Sequence, residues 1–203
     1  MDEGLRERQR QQRIDAILDA AVALMDELGY EAVTINEIAA RAATTKPTVY
    51  AYFPTKESIA AHALARLIRR SIAVIDSQEP TRPPLDRIAD LLRLTLRRKL
   101  VDGTGSFASA AVLPNLHAYP DFCDARTEHR SRLATLIDAG KADGSIRPEL
   151  DTRVVLQVFT SILRDSEYVS LLRQEVIDGE TVIETLLALL IHGMQPCPTT
   201  LSF

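Results

Sequence analysis

The chain has 203 residues, 46% hydrophobic and 26% charged, a composition that argues against wholesale disorder or collagen-like repeats and leaves room for one large domain or two small ones. The formal net charge is −4, but residues 1–70 carry ten Lys and Arg against ten Asp and Glu, so the acidic excess lies wholly beyond them. Cys123 and Cys197 stand in no CxxC or Cys/His spacing, which argues against a structural zinc site and a disulfide framework and fits free thiols in a reducing cytosol.

The opening MDEGLRERQRQQR is charged and lacks the apolar stretch of a signal peptide. The best candidate for a membrane span, Leu186 to Ile191, is far too short. A soluble, cytoplasmic protein with no membrane partner is expected. The Arg6 to Arg13 run reads as an exposed helix start, with an arm entering a DNA minor groove as the alternative.

Helical periodicity then dominates. Ile14, Ile17, Leu18, Ala21, Val22, Met25 and Leu28 form an apolar stripe that Gly29 stops. Thr34 and Glu37 predict a capping box for a second helix running to about Ala42. Thr45 is the next N-cap candidate, and Pro47 falls in the first turn of a third helix, where its missing N–H costs little. Pro54 ends that helix, and Thr55 with Ser58 begins a fourth, striped by Ile59, Ala63, Leu64, Leu67, Ile68, Ile72 and Ile75.

The three prolines of Ser77 to Pro84 predict a linker. Beyond it, helices are expected over 85–101, 106–116, 121–142, 152–173 and 181–194, broken at Gly103/Gly105, Pro120, Asp143-Gly144 and Asp178-Gly179. The fold class is therefore all-α. A three-helix helix-turn-helix domain at 10–70 precedes a larger helical domain at 78–203.

Two short helices with a tight turn between them, over Thr34 to Lys56, define the helix-turn-helix. Ile35, Ile38, Ala39, Ala42 and Val49 supply its interior, and Phe53 is read as core. Thr44, Thr45, Lys46, Thr48 and Tyr50 are left to face outward. Here the chain resembles the TetR family of bacterial transcriptional regulators. The residues that carry the resemblance are Gly29-Tyr30, Thr34-Ile35 with Ile38-Ala39, Thr45 to Tyr50, Tyr52-Phe53 and Thr55-Lys56-Glu57.

The resemblance implies double-stranded DNA as partner. Thr34, Thr44 and Thr45 would lie at the helix starts and turn beside phosphates. Lys46, Pro47 and Thr48 would enter the major groove, Lys46 to guanine O6/N7 and Thr48 to a thymine methyl. Tyr50, Tyr52 and Lys56 would meet the sugar-phosphate backbone. The family's turn commonly carries Gly-Val where this chain has Ala43-Thr44, placing alanine where a positive φ favours glycine.

The resemblance also implies a homodimer that reads a palindrome and a small-molecule effector that releases it. Val154, Val155, Val158, Phe159 and Ile162 stripe one helix suited to pairing; Val182, Ile183, Leu186, Leu187, Leu190 and Ile191 stripe the other. Within these, Val155, Phe159, Ile162, Ile183, Leu187 and Leu190 are the expected interface. The effector site would be lined by Leu92, Leu96, Phe107, Ala111, Leu113, Leu116, His117, Tyr119 and Phe122, an apolar set suited to a hydrophobic or aromatic molecule. His129 lies in the same region.

No cofactor is implied, the four histidines share no metal-ligand spacing, and no GxSxG, P-loop or dinucleotide fingerprint is present, so catalysis has no support. Arg97-Arg98-Lys99 reads as a solvated face. A ligand-responsive repressor is the leading reading. An activator or effector-independent regulator of the same fold, and a helical ligand-binding or interaction module that no longer binds DNA, fit the same pattern.

Overall fold

A computed structural model of the protein describes residues 3–103, 115–164, 168, 172 and 177–196. Among these residues all regular structure is helical: α1 (Glu3–Leu28), α2 (Ile35–Arg41), α3 (Lys46–Tyr52), α4 (Lys56–Ser77), α5 (Pro84–Leu100), a 3-10 turn (Leu116–Ala118), α6 (Pro120–Ala142), α7 (Thr152–Arg164) and α8 (Gly179–Met194). The expected helix over 106–116 lies almost wholly outside the described residues, as does most of 165–173. No helix among the described residues is long and apolar enough to cross a membrane.

The chain forms two compact units, Met1–Ile68 with Gly103–Arg126, and Arg69–Asp102 with Thr127–Phe203. The interior of the SQEPTRPP stretch, residues 78–83, is the loop between α4 and α5, inside the second unit. It is tied down there: the Gln78 amide donates to the Arg87 carbonyl (3.0 Å) and Arg82 pairs with Asp90 (2.7 Å).

In the first unit, Ile17, Ala21, Met25, Ile38, Val49, Phe53, Ile59 and Ala63 share one apolar core with Tyr30, Val33 and Phe122. Burial of this kind stabilises by ~25 cal/mol per Å² of apolar surface removed from water, which is what holds helices as short as α2 and α3. α1 begins at Glu3, so the arginine run is helical and exposed. Leu28 does not join its stripe; it is exposed, because α1 is already ending at Gly29, whose φ is +84°.

Ion pairs fasten α1 to its neighbours. Arg41 of α2 grips Glu27 through two 2.7 Å hydrogen bonds, and Arg66 of α4 reaches both Asp15 (3.2 Å) and Asp19. The Arg66 side chain is only 19% exposed, so that pair is screened less than the Arg41 pair.

The second unit packs Leu85, Ile88, Leu92, Leu96, Leu136, Ile137, Ile146, Phe159, Ile183 and Leu187 into a second core. Arg93 with Glu184 (3.2 Å) and Arg97 with Glu180 (3.0 Å) lace α5 to α8. The 97–99 stretch is therefore not a uniformly solvated face: Arg97 is paired across helices and Lys99 is buried.

Candidate nucleic-acid interface

Thr34 and Glu37 form the capping box. The Glu37 carboxylate accepts from the Thr34 N–H (2.8 Å) and hydroxyl (2.7 Å), and the Glu37 N–H donates back to Thr34 Oγ1 (3.3 Å). Those bonds to the ionised form hold the Glu37 carboxyl below its ordinary value.

At the other end of α2, the Thr44 N–H donates to the Ala39 carbonyl (2.9 Å) and the Ala43 N–H to the Ala40 carbonyl (3.2 Å). This is a Schellman motif. Its C′ position requires a left-handed backbone, and Ala43 adopts it with φ +50°. Alanine thus takes the conformation that glycine supplies more cheaply. The turn forms, under mild strain.

One residue later Thr45 starts α3. Its backbone is extended and its Oγ1 accepts from the Thr48 N–H (3.3 Å). The Thr45 and Thr48 hydroxyls also share a 2.8 Å hydrogen bond. Pro47 sits in the first turn, as expected.

Val49 and Phe53 drop into the core, which rotates Lys46, Pro47 and Tyr50 outward; Tyr50 is 44% exposed. Thr44, Thr48 and Tyr52 are half-buried. The Tyr52 ring lies 5.9 Å from the Arg10 guanidinium, an attraction of cation to π face that reaches from α1 to α3.

Charge at this surface is set by which cations are already engaged. Arg41 and Arg66 are held by carboxylates. Lys56 does not project outward as expected: its ammonium donates to three backbone carbonyls of the loop before α2. Lys46 makes no ion pair among the described residues, so its charge stands at the exposed start of α3. Residues 1–70, with ten basic and ten acidic side chains, can thus still present a positive tip.

Thr55 and Ser58 cap α4 reciprocally, Ser58 N–H to Thr55 Oγ1 (3.0 Å) and Thr55 N–H to Ser58 Oγ (3.3 Å). The Thr55 hydroxyl also meets the Tyr119 hydroxyl (3.4 Å).

The residues expected to line an effector site divide between the two cores. Leu92 and Leu96 are buried in the second unit, whereas Leu116, Tyr119 and Phe122 pack in the first. His117 is exposed in the 3-10 turn, and Phe107, Ala111 and Leu113 lie outside the described residues. His129 is half-buried with its Nε2 unpartnered, and burial pushes its imidazole below the ordinary value.

The residues expected at a subunit interface are largely turned inward. Val155, Phe159, Ile183 and Leu187 are buried in the chain's own second core, with Ile162 and Leu190 packed against it. Among the described residues, the large apolar side chains that α7 and α8 expose are Val154, Val158 and Leu189. On α7 they flank a groove of about 430 Å³ lined by Asp151, Arg153, Val154, Gln157, Val158, Ser161 and Ile162.

Comparison with known proteins fits this geometry. The family described as bacterial regulatory proteins, tetR family, matches residues 17–63, the segment holding the end of α1, all of α2 and α3, and the start of α4. The A-factor receptor protein of Streptomyces griseus is 29% identical over 161 residues, covering 75% of this chain and 54% of that protein. The chain thus spans about half of that relative. An uncharacterized HTH-type transcriptional regulator of Mycobacterium bovis is 30% identical over 146 residues, covering 70% of this chain and 67% of that one.

Two solved structures share the fold: the fatty acid degradation regulator FadR from Bacillus halodurans (TM-score 0.73, 22% identity, 89% of this chain and 95% of that one) and FadR from Bacillus subtilis in complex with stearoyl-CoA (TM-score 0.67, 21% identity, 89% and 98%).

The fold and the Thr34–Lys56 site define a helix-turn-helix protein of the regulatory type. The chain belongs to the TetR family.

Proposed function

We propose that the protein is a transcriptional regulator that binds double-stranded DNA through α3, acts in the cytoplasm as a homodimer on a palindromic site, and represses until a small hydrophobic effector releases it. The observation that carries the DNA-binding part is the α2–α3 junction. A Schellman turn and the Thr45 cap fix α3 so that Lys46, Pro47 and Tyr50 face outward while Val49 and Phe53 anchor it. Lys46 is the proposed base-edge contact, and Thr48 and Tyr50 flank it. Thr34, Thr44, Thr45 and Tyr52 are proposed to lie along the phosphates.

Pairing is proposed through the outward side of α7 and α8. Val154, Val158 and Leu189 are apolar side chains that water meets in the single chain, and a second copy would cover them. One helix-turn-helix makes few base contacts, so two heads are needed for specificity.

The effector proposal rests on relatives: one is named a receptor for A-factor, and one structure holds stearoyl-CoA. Such a ligand acts only through a difference in affinity between the DNA-bound and released forms.

The test is retention of genomic DNA fragments by the full chain at low and high salt. Retention that weakens steeply with salt supports the proposal. No retained fragment at low salt would reject it in favour of a helical ligand-binding module.

A further inference from the structure

Lys56 opens α4 at a position where a cation could serve a phosphate. Its Nζ instead donates to the carbonyls of Tyr30 (2.9 Å), Val33 (3.1 Å) and Glu31 (3.2 Å), and it stands 4.4 Å from the centroid of the Tyr30 ring. An ammonium has three protons, and three carbonyls receive them.

Those carbonyls belong to the loop that joins α1 to α2. The side chains of Tyr30 and Val33 are buried in the first core, so the ammonium holds the loop's backbone while the core holds its side chains. Half-buried carbonyls need donors, and this one side chain serves the half-buried carbonyls of Tyr30 and Val33 as well as the exposed one of Glu31. The next residue, Thr34, caps α2, and α2 ends in the turn that aims α3. A lysine suits this place because its compact tetrahedral head can serve three converging carbonyls, whereas a planar guanidinium cannot.

We infer that Lys56 is a positioning residue, a clasp on the Tyr30–Val33 loop that sets the approach of the helix-turn-helix, rather than a phosphate contact. This rests on the reading of α3 as the DNA-binding helix. To reach a phosphate the ammonium would have to leave three charge-assisted hydrogen bonds and the face of an aromatic ring.

Lys56→Met and Lys56→Arg, made in the full chain, test it by two readouts. In the free protein, amide exchange across residues 30–38 is expected to quicken roughly tenfold or more in both variants, since each loses bonds to a charged donor. Against a retained DNA fragment, both variants bind more weakly but keep the wild-type slope of log affinity against log salt.

A phosphate contact gives the opposite pattern and would overturn the inference: exchange unchanged, Lys56→Arg binding like wild type, and Lys56→Met lowering the slope by about one. Should Lys56→Met not fold, Lys56→Arg keeps the charge and the stem and still separates the two. If the wild-type chain retains no DNA, the function proposal fails while the exchange measurement still decides the clasp.

Discussion

The Thr44 N–H reaches back across Ala43 to the Ala39 carbonyl at 2.9 Å, and Ala43 holds a φ of +50° to allow it. The connection between α2 and α3 is therefore made by a residue in a conformation that a Cβ disfavours. Ala43→Gly is expected to stabilise the protein by ~1 kcal/mol, less the entropy that glycine adds to the unfolded chain. Thermal unfolding checks this; a lowered midpoint would show that relief of the turn does not outweigh that entropy.

Thr45 caps α3 through its side chain and stands exposed beside it. Thr45→Val keeps the shape and removes the acceptor for the Thr48 N–H, so a loss of about 1 kcal/mol is expected. Thr45→Asp restores an acceptor and adds a negative charge at the helix start, which favours α3 by the macrodipole but opposes a phosphate. Urea unfolding and DNA binding of this variant should therefore move in opposite directions.

The two sides of α7 and α8 make a paired prediction. Val158→Glu or Leu189→Glu places a charge on an apolar, water-facing site, and should yield monomers in sedimentation with the fold intact. Leu187→Glu buries an unpaired carboxylate among Ile183, Leu186 and their neighbours, and should cost ~3 kcal/mol or more of stability. Monomers from neither exposed variant would mean that pairing uses another surface.

His129 gives a pH dependence whose sign follows from burial. Its folded-state pKa is depressed below the ordinary 6.5 by desolvation, so the unfolded chain binds the proton more readily. Its contribution is complete above pH 6.5 and is lost as pH falls from there through the folded value. His129→Leu removes the titration and should flatten stability over that acidic window in chemical unfolding at several pH values.

How much of this was legible in the sequence depends on the range of the interaction. Gly29, the Thr34–Glu37 box, the Thr45 cap and Pro47 act within four residues, and their spacing announces them. The core positions Ile38, Val49 and Phe53 follow from periodicity anchored to those caps. Arg66 with Asp15 and Asp19, and Arg41 with Glu27, join residues far apart in sequence and leave no local pattern. The Lys56 clasp was hidden for a further reason: its acceptors are backbone carbonyls, which carry no residue identity.

On α7 and α8 the difficulty was different. Val154 and Val158 lie beside Val155 and Phe159, and Leu189 beside Leu187, so both sides of each helix are apolar. A stripe then shows that a helix packs, but not which side meets its own core. Only the three-dimensional packing turned Val155, Phe159, Ile183 and Leu187 inward. The charged start of α1 read as an exposed helix start from its arginines alone, since a segment with no apolar side has no period to confirm it.

Lys46 stands at the exposed start of α3, where DNA recognition is proposed, and the decisive comparison is the affinity of the wild-type chain and Lys46→Ala for a retained DNA fragment across a range of salt. Lys46→Ala is expected to weaken binding by about 1–3 kcal/mol per site, with unfolding unchanged because the side chain is exposed. Equal affinity and equal salt slope for the two proteins would contradict it.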